Sequence, residues 1–171
     1  HANDPDNFVK AISNILKDGG QFIYELPYWL CTVRDKRFDQ IYHEHVTYFT
    51  VKYSHNLMKK HGLKIKSVEV VDYHGGSLRV ICEKNSFEDF TLSKDIQDRI
   101  KEEEAMGLFN KSTYNSFMNS LLEERNNFME KVYKIKKSGH PIIGVGAAAK
   151  ANTFLNFYNI DHSILDYVTD A

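Results

Sequence analysis

After a polar start, Phe8, Ile12, Ile15 and Leu16 recur at the spacing of one helix face. Asp4 stands before Pro5 as an N-cap before a first-turn proline, and Asp18-Gly19-Gly20 stops the helix. The short apolar run 21–26, closed by Pro27, predicts a buried strand. Helix, glycine pair and strand in this order are typical of a parallel α/β sheet. Residues 51–61 predict an amphipathic helix ended by Gly62. Residues 63–71 alternate as a strand, and 77–82 form a second strand, hairpin-paired to the first through the turn Asp72-Tyr73-His74-Gly75-Gly76. Between strand and helix, the stretch 27–50 obeys no single period. It mixes aromatics with charges and with His43-Glu44-His45, and a stretch of this kind inside a domain is often functional.

Residues 84–139 are polar and helical. Asp95–Glu104 is charge-rich, and 114–137 carries Phe117, Leu121, Phe128, Met129, Val132 and Ile135 as an apolar stripe on a solvated helix. After Gly139 the pattern changes again. Pro141–Val145 predicts a strand, Gly146–Lys150 a small-residue loop, 151–158 a helix and 166–168 another strand. Strand, loop, helix and strand make the opening half of a nucleotide-binding α/β layout. The expected organisation is therefore one α/β domain over 1–84, a helical connector over 85–139, and the beginning of a second α/β domain over 140–171.

Composition narrows the function classes. The 171 residues are 42% hydrophobic and 26% charged, with 22 Lys+Arg against 23 Asp+Glu. This is a globular composition, with no electrostatic footprint for a nucleic-acid polymer. No apolar run reaches the length of a membrane span, and no signal peptide opens the chain. Cys31 and Cys82 are too few for a disulfide scaffold, so a reducing cytoplasm is the expected location.

Three motifs carry chemistry. Tyr42-His43-Glu44-His45 sets a phenol, a carboxylate and two imidazoles side by side. On extended backbone, Tyr42 and Glu44 fall on one side and the histidines on the other. Acid–base chemistry, metal ligation and a polar surface patch all fit this set. In His74-Gly75-Gly76-Ser77-Leu78-Arg79, the glycines suit either a tight turn or close approach of a ligand, and Arg79 suits a phosphate or carboxylate. Gly144-Val145-Gly146-Ala147-Ala148-Ala149-Lys150 offers backbone N–H groups at a helix start, although it is neither G-x-G-x-x-G nor a Walker A loop. His1 alone reads as a surface or tag residue.

Taken in order and spacing, Ile41–Phe49, His74–Arg79 and Gly144–Thr153 resemble the S-adenosylmethionine-dependent sugar C-methyltransferases, which methylate C-3 of nucleotide-linked 4-keto-deoxysugars. The resemblance runs along essentially the whole chain. It implies the C-terminal part of a class I methyltransferase Rossmann-like sheet, a helical connector, and the start of a second Rossmann-like domain. The family's zinc-binding N-terminal module and the glycine-rich loop that holds S-adenosylmethionine would lie outside these residues, so the chain by itself is not expected to hold the methyl donor. The resemblance also assigns roles. His45 would be the base, with Tyr42, Glu44 and His1 beside it. Gly146, Lys150 and Asn152, together with His74 and Arg79, would contact the nucleotide-diphosphate sugar. No metal is implied at these residues, and the oligomeric state is left open. A non-catalytic nucleotide-binding α/β module, a dinucleotide-dependent oxidoreductase and a related methyltransferase with another small substrate are the competing readings.

Overall fold

A computed structural model describes residues 2–85 and 89–170. His1 lies outside the described residues. The chain divides into two units, 1–37 with 43–113, and 38–42 with 114–171.

In the first unit, helix α1 (Pro5–Ile15) starts as its sequence dictates. Asp4 accepts from the Asn7 N–H at 3.0 Å, and Pro5 takes the first helical position. Three strands follow: β1 (Gln21–Pro27), β2 (Leu63–Val71) and β3 (Ser77–Lys84). Their order is β1-β3-β2, and β3 runs antiparallel to both neighbours. The predicted hairpin is present. However, the expectation of a parallel, buried first strand is corrected, because β3 folds back between β1 and β2 and β1 becomes an edge. Its residues alternate in burial, with Ile23 56% exposed. The core of the sheet is β3, where Leu78, Val80 and Cys82 are fully buried against Leu63 and Ile65 of β2. Helix α3 (Val51–Lys60) covers the sheet through Val51 and Met58, and α4 (Lys94–Ala105) packs on α3 with Ile96 inward.

The stretch without a period contains a short helix, α2 (Trp29–Arg34), and a 3-10 turn over Phe38–Gln40. Its irregularity has a physical reason: these turns are stabilised by distant partners and not by a repeating face.

In the second unit, α5 (Lys111–Lys137, of which 114–137 belong here) is followed by β4 (Ile143–Val145), α6 (Ala151–Tyr158) and β5 (Tyr167–Thr169). β4 and β5 pair in parallel, as the strand–loop–helix–strand pattern predicts. Met129, Val132, Tyr158 and Ile164 form the core of this unit, with Phe38, Ile142, Phe157 and Ile160 packed around it. The helical stretch 85–139 thus divides between the units, α4 with the first and most of α5 with the second. The whole is a mixed α/β chain.

Candidate active site

The His-Glu-His run sits in the link between α2 and α3. His43 and Glu44 form a turn, and His45 begins the limb that returns to α3. This corrects the alternation expected on extended backbone, because a turn does not place alternate residues on opposite sides. His43 and Glu44 are exposed and His45 is half-buried. All three belong to the first unit, whereas Tyr42 belongs to the second. Among the described residues, no three His, Cys, Asp or Glu side chains converge as a metal-holding group.

The returning limb is pinned at its base. Tyr28 and Phe49 form an isolated parallel bridge, Trp29 N–H donates to Phe49 C=O at 3.0 Å, and the Trp29 and Tyr48 rings lie 4.5 Å apart. Thr50 then caps α3 by accepting from the Tyr53 N–H at 3.0 Å. Sequence reasoning missed what lies beneath this base. Glu103, on the charge-rich α4, is fully buried. It accepts from the Tyr28 hydroxyl at 2.9 Å, from the Lys52 N–H at 3.1 Å and from the Val51 N–H. Burial pushes its carboxyl above the usual range, against the opposing pull of the Lys52 and Val51 amides. Burial, and then the Glu103 charge beside it, pushes the Tyr28 phenol up as well. The only signal in the sequence is that Glu103, within Glu102-Glu103-Glu104, falls on the face that also carries Ile96 and Ile100.

Beside this limb, a cavity of about 170 Å³ opens between α1, β1 and α3, lined by Phe8, Phe22, Tyr24, Thr47, Phe49 and Leu57. It is mostly apolar, and Thr47 and Phe49 bring the sequence after His45 to its wall.

The hairpin turn is explained within the first unit itself. Gly75 and Gly76 have φ of +78° and +110°. A Cβ on Gly75 would overlap the Arg37 guanidinium, and one on Gly76 would lie 2.7 Å from Cys31 Sγ. The glycines are therefore needed so that Arg37 and Cys31 can lie on the turn. His74 is exposed at the same turn, its ring 4.1 Å from that of Tyr73. Arg79 sits on β3 opposite Glu25 of β1 and Glu69 of β2 in register, and pairs with both, at 3.0 and 3.1 Å.

In the second unit, the glycine loop joins β4 to α6 and borders a cavity of about 690 Å³, lined in part by Gly146, Ala148, Asn152, Leu155, Ile160 and Val168. Gly146 adopts φ +87°, with open space where a Cβ would stand. Ala147 N–H donates to Asp170 at 3.2 Å, so one loop amide is already held by a carboxylate. Lys150 Nζ pairs with Asp39 at 3.2 Å. Asp39 follows Phe38, whose ring lies 4.3 Å from Phe157 and 5.8 Å from Tyr158. No local pattern in the sequence marks 38–42 as part of this unit. Asn152 is exposed on the first turn of α6.

The family defined by the C-methyltransferase C-terminal domain matches residues 72–171. The chain belongs to the C-methyltransferase family. It is 27% identical, over all of its 171 residues, to C-methyltransferase NovU of Streptomyces niveus, and it spans 40% of the length of that relative. The match to this C-methyltransferase therefore takes in the His-Glu-His turn, the hairpin and the glycine loop together. No helix among the described residues is long and apolar enough to cross a membrane.

Proposed function

We propose that the protein containing this chain is an S-adenosylmethionine-dependent C-methyltransferase that acts on C-3 of a nucleotide-linked 4-keto-deoxysugar. The observation that supports this reading is the match of all 171 residues to part of a C-methyltransferase, because it includes the turn bearing His45. The chemistry suits these residue types. A C-3 proton is acidified by the neighbouring C-4 ketone, and an imidazole that titrates near neutral pH is matched to removing it. His45 takes that proton, and the electron pair passes to the ketone oxygen as an enolate. Tyr42 donates a hydrogen bond to that oxygen, Glu44 orients an imidazole or holds a sugar hydroxyl, and His1 is assigned to the same site.

The donor cofactor, when bound, supplies an electrophilic methyl group. At Gly146, in the loop between β4 and α6, open space stands where a Cβ would be. The glycines of the other turn are filled by Arg37 and Cys31. In this reading, Gly146, Lys150 and Asn152 face the sugar-nucleotide diphosphate, as befits amides and a cation beside an open loop. His74 is assigned to the substrate contacts with them. Arg79, already held between Glu25 and Glu69, remains a sheet residue.

The test is His45→Asn in the enzyme that contains this chain, supplied with S-adenosylmethionine and nucleotide-linked 4-ketosugars. Methyl transfer is expected to fall by about 100-fold or more while the sugar nucleotide still binds. Wild-type enzyme should also exchange the C-3 proton with solvent deuterium. Retained turnover in the variant removes His45 as the base.

A further inference from the structure

We propose that Glu103 is a positioning residue for this site: its carboxylate ties together the two ends of the 28–50 stretch and so fixes the limb that carries His45. The inference rests on the reading of His45 as the base.

The two ends meet on one side chain. Tyr28, where the stretch leaves β1, donates its hydroxyl to Glu103. Val51 and Lys52, where the stretch enters α3, donate their backbone N–H groups to the same carboxylate. The first turn of a helix leaves amide N–H groups without partners inside the helix. At α3 these are taken up by Glu103 and Thr50 between them, so the carboxylate completes the cap from another element. The helix dipole favours a negative charge at this point. The Thr50 hydroxyl adds a further bond to Glu103. Every one of these partners is a neutral donor, so the carboxylate is held by hydrogen-bond geometry.

Packing α4 on α3 does not by itself call for a carboxylate. Ile96, on the same helix, is equally buried with apolar atoms alone. Placing a carboxylate in the interior is costly unless its oxygens are satisfied. Here they are satisfied by the two ends of the link that carries the candidate base. The position of a catalytic group matters at the scale of an ångström, and a link of this length has little periodic structure of its own to hold it.

The test uses Glu103→Gln in the enzyme that contains this chain. The amide keeps the shape but has a single acceptor oxygen for four donors. The expected result is a fall in kcat for methyl transfer of about 10- to 100-fold, with KM for the sugar nucleotide changed by less than about threefold. Amide hydrogen exchange is expected to speed up across 43–52 and to stay unchanged around Met129 and Val132. Glu103→Asp should recover part of the loss. If Glu103→Gln does not fold, Tyr28→Phe, which removes only the phenol tie, should shift kcat and local exchange in the same direction by less. The proposal is overturned if kcat of a folded variant stays within about twofold of wild type, or if exchange rises uniformly along the chain. The exchange measurement needs no turnover. If His45→Asn remains active, the site reading fails, while the exchange data still decide whether Glu103 orders this link.

Discussion

At Gly76 a single hydrogen atom stands where any other residue would set a carbon against the Cys31 side chain, at φ +110°. Cys31 is itself buried and cannot withdraw, whereas the Arg37 guanidinium over Gly75 is the end of a flexible chain. Gly76→Ala is therefore expected to destabilise the first unit by about 1–3 kcal/mol, and by more than Gly75→Ala, read from urea unfolding curves of the two variants. Equal or smaller loss at Gly76 would contradict the packing described. The glycine pair was legible in the sequence as a turn. Which of its two meanings applied, turn or ligand approach, was not, because the decision lies with Cys31 and Arg37, more than 35 positions away. Arg79 was likewise readable as a strand residue. Its two carboxylate partners depend on the strand order, which the alternating pattern leaves open.

At the scale of elements, the helices and the hairpin were written in local signals. Asp4-Pro5 starts α1, Gly62 ends α3, and period-two alternation marks β2. The link 27–50 was not, since its support comes from Glu103, Tyr28 and Phe49 in one unit and from Phe157 and Tyr158 in the other. The segment Phe38–Tyr42 shows the consequence. Phe38 places its ring against Phe157 and Tyr158 at the border of the second unit's core. Phe38→Ala should lower the stability of that unit by about 2 kcal/mol, less than for a fully buried phenylalanine because Phe38 is only half-buried. Hydrogen exchange should show the loss around Met129 and Val132, and none around Val80. Loss confined to the first unit would refute the assignment of 38–42.

For the molecule as a whole, acid sensitivity follows from its carboxylates. Lys60, then His61, holds Asp6 below the ordinary carboxylate range, Lys64 does so for Asp89, Ser163 for Asp161, and Lys136 for Asp166. A carboxyl with a depressed folded pKa contributes stability that is present above its unfolded value, near 4, and is lost as pH falls through the folded value. Glu103 acts with the opposite sign. Its raised pKa favours the folded state as pH falls from that raised value toward the ordinary glutamate range. The four aspartates outnumber it, and they lie in both units. The thermal midpoint should be nearly level between about pH 7 and 5 and then decline below about pH 4, with a smaller decline in high salt because these pairs are exposed. A midpoint that rises between pH 5 and 3 would show that Glu103 outweighs them. The near-zero net charge gave none of this, since it counts charges without their partners.

The tilted ring pair of Trp29 and Tyr48 has one more consequence. Trp29 is the only tryptophan in the chain, and it sits at the root of the limb that carries His45, 4.5 Å from a tyrosine on that same limb. Excited at the red edge, beyond the absorption of the ten tyrosines, the chain therefore emits from one indole at the base of the link 27–50. Its colour, lifetime and accessibility to a quencher record the state of that link without any attached dye.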